Sequence, residues 1–156
     1  MKMKLGLLGG LMALAVSLFV SGNAMPDSAD LFRLKRLQEK VFMKMKINSE
    51  DKVEYYSFLL NKRLNELKYL VEERQYAYIL SSSLRYSTTA GLMTEVITAN
   101  DMDNVIVPTI KMFKEHQLVF SQLVETYPFK DSGEWKFLQD DYNYLEIYLG
   151  FLSEIE

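Results

Sequence analysis

The chain has 156 residues, no cysteine and a formal net charge of −3, from 18 basic and 21 acidic side chains. The acidic balance argues against a nucleic-acid partner, because a phosphate binder needs a basic excess. Without cysteine there is no disulfide and no lipid-modified N-terminal cysteine, and a single histidine, His116, cannot make a catalytic triad or a His-rich metal site.

Residues 1–24 read as an export segment. Lys2 and Lys4 form a positive start, Leu5 to Val20 an apolar run, and Gly22-Asn23-Ala24 a small-residue cleavage site. The apolar run is short against the roughly 20 residues that span a bilayer. Gly22 is an imperfect cleavage residue, so an uncleaved anchor is the alternative. Cleavage after Ala24 leaves 25–156 as one domain with one core, whose stability comes from packing alone. Loss of Lys2 and Lys4 lowers the basic count from 18 to 16 against 21 acids, a net charge of −5. The protein is therefore expected outside the cytoplasm: periplasmic or extracellular, or tethered to the outer face of the membrane if the segment is retained.

Met25 to Ala29 is a short linker in which Asp27 or Ser28 can cap a first helix. That helix is expected from about Ala29 to Lys46, with Leu31, Leu34, Leu37 or Gln38, Val41 and Met45 on its buried stripe. Asn48 or Ser49 caps a second helix whose first turn carries Glu50 and Asp51, where the helix dipole favours acids. Val53, Tyr56, Leu60, Leu64, Leu67 and Val71 follow at spacings of three and four, the cleanest amphipathic pattern in the chain. The short connection implies an antiparallel hairpin. The charge is unevenly spread: from Leu31 to Arg74 there are eleven Lys and Arg against seven acids, whereas from Gln75 to Glu156 there are five against twelve. The halves either neutralise each other by packing, or the basic hairpin faces an anionic membrane surface or wall polymer.

Glu72 to Gln75 marks a break. A third helix is expected from Tyr76 to Ala99, with Ser83, Ser87 and Ala90 or Gly91 forming a small-residue face. That face permits close helix approach; the functional alternative is a hydroxyl-lined internal pocket at Ser83 and Ser87. Pro108 places the start of a fourth helix between Asn104 and Val107, running to about Thr126 with Ile110, Phe113, Phe120 and Leu123 or Val124 inward. Ser132 caps a fifth helix, on which Trp135, Leu138, Tyr142, Leu145, Leu149 and Leu152 keep the same rhythm. The fold class is all-α, a bundle of four or five helices.

The opening hairpin resembles the bacterial domain-of-unknown-function family 5667. The match lies in Leu31, Phe32, Leu34, Lys35, Arg36 and Glu39 on the first helix and in Arg63, Leu64 and Glu66 on the second, over roughly residues 27–70. The family more often has Tyr where Phe32 stands, and commonly Ala near Asn61. The resemblance implies an extracytoplasmic helical domain and brings no activity with it. In a hairpin turning near Asn48, Arg63 falls near Arg33 and Leu34, and Glu66 approaches the N-terminus of the first helix, where a carboxylate is favoured.

No catalytic constellation, cofactor site or metal site emerges. Paired acids at Glu72-Glu73 and Asp140-Asp141 read as solvated faces, since helix neighbours do not converge. Nine methionines raise a haem or copper reading, but Met43 and Met45 point apart and Met93 and Met112 suit core gap-filling. Tyr55, Tyr69, Tyr78, Tyr144 and Tyr148 are hard to bury together and suit an interface. The expectation is a non-enzymatic interaction or scaffold module at the cell envelope, its partner another envelope protein; the alternative is a ligand-binding or sensory bundle with a small polar pocket.

Overall fold

The computed structural model describes residues 24–26 and 28–155, in which five α-helices and no strand occur. The export segment expected over 1–24 lies, save for Ala24, outside the described residues. The chain divides into two units, 1–45 and 46–156.

The first unit contributes α1 (Ala29–Met45). Its inward residues are not the expected stripe. Phe32, Lys35 and Glu39 are buried, whereas Leu31, Leu37, Val41 and Met45 are exposed, Leu37 by 59%. The cause is visible in the sequence. Apolar residues are spread over more than half of this helix's circumference, so three-four spacing alone does not choose the inward face. Lys35 is buried with its ammonium satisfied: Nζ donates to the carbonyl of Ala24 at 2.7 Å and lies 5.3 Å from the centroid of the Phe32 ring.

The second unit is a four-helix bundle of α2 (Ser49–Glu72), α3 (Ile79–Ala99), α4 (Asp103–Thr126) and α5 (Trp135–Ser153), with a short 3₁₀ turn, Tyr76–Tyr78, ahead of α3. Asn48 caps α2, its side chain accepting from the N–H of Asp51 at 2.7 Å. The expected break at 72–75 is a reverse cap. Arg74 adopts φ 58°. The N–H of Gln75 returns to the carbonyl of Leu70 and that of Arg74 to Val71, the two bonds that close a helix end. Asp101, with φ 46°, serves the α3 end similarly. Ser132 does not cap α5: its hydroxyl donates to the carbonyl of Phe129, and α5 begins without a side-chain cap.

The core stripes of α2, α4 and α5 fall where the periodicity puts them. Val53, Leu60, Leu64, Leu67, Phe113, Phe120, Leu123, Leu138, Leu145 and Leu152 are buried. α2 and α3 run antiparallel, Ser49 meeting Asn100 at one end and Glu66 meeting Arg85 further along. α3 and α5 run parallel and close, with Ser83 bonded to the carbonyl of Phe137 and Gly91 against Tyr148. The small-residue face of α3 thus receives α5. α3 runs unbroken through Thr88–Gly91, and its hydroxyls find their partners within the helix: Ser87 donates to Ser83, Thr88 to Leu84, Thr89 to Arg85 and Thr94 to Ala90.

Candidate functional site

Three helices of the bundle bury a polar side chain, Tyr86 from α3, His116 from α4 and Asp141 from α5, and the exposed Asn61 of α2 reaches His116 from outside. Three of these four residues form a chain. The Tyr86 hydroxyl stands 2.7 Å from Nδ1 of His116, and Nε2 of His116 stands 3.3 Å from Oδ1 of Asn61. The Asn61 amide nitrogen donates to the carbonyl of Ser57, which turns Oδ1 toward the ring. An amide oxygen only accepts, so Nε2 carries the proton and Nδ1 accepts from Tyr86. The imidazole is neutral, and burial lowers its pKa to about 4. Tyr86 is itself fully buried, its ring edge-on to Phe120 at 4.8 Å. Burial and the neighbouring Asp141 keep its hydroxyl protonated.

Asp141 overturns the expectation of a solvated acidic pair. Asp140 is exposed, but Asp141 is 0% exposed, between Leu138 and Leu145 on the inward stripe. Burial raises its pKa well above the ordinary carboxylate value, and the charge of Asp140 adds to this; the Ser83 hydroxyl acts in the opposite direction. In the geometry, however, Ser83 donates to Phe137, and neither carboxylate oxygen of Asp141 makes a hydrogen bond. Of the candidate pocket residues, Ser83 stands beside this acid, and Ser83 and Ser87 are both buried with their hydroxyl hydrogens committed to backbone carbonyls.

The family-like residues are placed as follows. Leu31 and Arg36 are exposed, Leu34 is half-buried, and Phe32, Lys35 and Glu39 are buried. Leu64 is core. Arg63 donates to the carbonyl of Arg85 at 2.7 Å, and Glu66, almost fully buried, forms a salt bridge with Arg85 at 3.1 Å. These two residues thus hold α2 to α3.

Chemically, the Asn61–His116–Tyr86 chain fixes one tautomer of the ring, with both ring nitrogens engaged. Among the described residues no group of three or more His, Asp or Glu stands together to hold a metal ion. No described helix is long and apolar enough to cross a membrane. His116 was not among the residues expected inward, although it lies on the stripe with Phe113 and Phe120. Tyr86 also lies on a three-four stripe, with Ile79, Ser83, Ala90, Met93 and Ile97, whereas the exposed Asn61 carries no spacing signal. Comparison of the chain with protein-family models, curated proteins and solved structures finds no match.

Proposed function

We propose that this chain is a non-enzymatic, extracytoplasmic helical interaction module of the bacterial cell envelope. The observation that carries the reading is an exposed flank of α5. Tyr144, Ile147 and Phe151 follow at spacings of three and four, all large and all exposed, and Ile155 is exposed just past the helix end. A neighbouring face of the same helix supplies Leu138, Leu145 and Leu152 to the core. A helix serving only its own bundle carries polar residues on its outer side, and an exposed apolar ladder fits a protein partner. Tyr144 and Tyr148 stack at 6.4 Å beside it, adding flat aromatic surface.

α1 supports an anionic contact in addition. Arg33, Arg36 and Lys40 ring Leu37 around a shallow groove of about 240 Å³, and Leu31, Val41 and Met45 are exposed. Basic heads around apolar stems suit an anionic membrane surface or wall polymer. The export reading of residues 1–24, the antiparallel pairing expected for the first two helices, and the resemblance to family 5667 over 27–70 belong to the same proposal.

The test is photocrosslinking in a bacterial host from position 147 or 151, with exposed Gln122 as a polar control, followed by fractionation. The expected result is a discrete adduct in the envelope fraction from 147 and 151 alone. Adducts equal at all three positions, or a cytoplasmic protein, would overturn the reading.

A second reading, a ligand-binding or sensory bundle, is favoured by the unpartnered Asp141 beside Ser83. It requires a polar ligand to reach Asp141, and protection of that carboxyl from a soluble carbodiimide by the ligand would test it.

A further inference from the structure

The cleft between α2 and α4 lies apart from the α5 ladder and borders the polar chain at Asn61, whose amide nitrogen reaches Sδ of Met112 at 3.6 Å. It has a volume of about 310 Å³, and Val53, Met93 and Met112 form its apolar side while Glu50, Glu54 and Asn104 stand at its rim. That volume is at the lower end for small-molecule sites. We propose that this cleft binds a small organic cation, an ammonium ion carrying an apolar body.

The argument is one of donors and acceptors. No Lys or Arg lines the cleft. Its two hydroxyls have spent their hydrogens: Ser57 donates to Sδ of Met112 at 3.3 Å and Thr109 to the carbonyl of Val105 at 2.7 Å. Both oxygens therefore offer only lone pairs. Pro108, in the second turn of α4, has no N–H to give the carbonyl of Asn104 four residues before it. Apart from the Asn104 amide nitrogen, every polar side chain lining the cleft offers only acceptors, and two are carboxylates. A ligand for such a site brings N–H donors and positive charge.

The rival accounts are weaker. The helix dipole explains Glu50, in the first turn of α2, but not Glu54 a full turn later. A hard metal cation wants six or more oxygens, and two methionines with a valine are the wrong lining for it. An anion would face both carboxylates. The apolar side calls for a body as well as a charge, and methionine adapts to varied shapes.

The test uses the full chain with methyl-labelled methionine, titrated with phenethylammonium, its neutral analogue 2-phenylethanol, and phenylacetate. The expected result is saturable movement of the Met93 and Met112 methyl signals with the ammonium ion. The neutral analogue binds more weakly and phenylacetate leaves the signals in place. Glu50 and Glu54 are exposed, so the double variant E50Q/E54Q folds, and its affinity for the ammonium ion falls by about fivefold, as for two exposed ion pairs. Static methyl signals at millimolar ammonium, equal shifts with phenylacetate, or an unchanged affinity in E50Q/E54Q would each overturn the proposal. None of these outcomes touches the α5 ladder, so this inference and the interaction reading fail separately.

Discussion

Tyr86 of α3 donates its hydroxyl hydrogen to Nδ1 of His116 of α4 at 2.7 Å, with both side chains buried. The pair is stable only while the imidazole is neutral, because a protonated ring has two N–H groups and Tyr86 would have to turn its hydrogen elsewhere. Tyr86→Phe leaves a buried acceptor unmatched and is expected to cost about 1–2 kcal/mol, measured by urea denaturation at pH 7.

The same histidine gives stability an acid slope. Its folded pKa is about 4, below the ordinary 6.5. The unfolded chain therefore takes up a proton first, and stability from this residue is lost as pH falls from about 6.5 to about 4. His116→Gln is expected to flatten that part of a stability–pH curve, even if it lowers the whole curve. An unchanged slope would show that the ring is not held neutral.

Asp141 slopes the other way. Its folded pKa is raised, so the folded state holds a proton that the unfolded state gives up above about 3.8. Stability is fully present below that pH and falls as pH rises through the folded pKa. Asp141→Asn removes the titration and is expected to raise stability at pH 8 by about 1–3 kcal/mol, the scale of an unmatched buried polar group. Urea midpoints of the two proteins at pH 5 and pH 8 measure it, the gap being wider at pH 8.

Glu66→Ala removes the carboxylate that Arg85 meets at 3.1 Å in a largely buried setting. The expected loss is about 3 kcal/mol, because the guanidinium keeps its burial and loses its counter-charge. A loss below about 1 kcal/mol would mark the pair as an exposed-type bridge.

At Gly91 an added Cβ would come within 2.9 Å of the Tyr148 hydroxyl. Gly91→Ala gains helix propensity of about 1 kcal/mol but must displace a tyrosine tip, so its net effect is expected within about 1 kcal/mol of zero. Gly91→Leu pushes into α5 and is expected to cost about 1–3 kcal/mol. Thermal unfolding of both variants separates the two contributions.

Where hydrophobic residues keep to one face, the sequence was enough to place them. Leu60, Leu64 and Leu67 on α2 and Leu138, Leu145 and Leu152 on α5 were legible for that reason. On α1 the same rule misled, since Leu31, Phe32, Leu34, Leu37, Val41 and Phe42 surround most of the helix and only tertiary contacts choose among them. Asp141 was hidden by its neighbour: two adjacent acids suggest solvent, although position 141 is three after Leu138 and four before Leu145. Asn61 and Tyr86 join His116 through a register between helices, and no single-helix pattern contains that information.

The close approach of α3 and α5 shapes a part of the bundle that neither Ser83 nor Gly91 touches. Contacts run round the four helices in the order α2, α3, α5, α4, so the α3–α5 seam and the α2–α4 seam are opposite sides of one ring. Serine and glycine shut the first seam tightly, while the second is sparsely closed and holds the cleft. The bundle is thus bound along one edge like a book, and any loosening of the four helices opens it at the edge where the cleft lies.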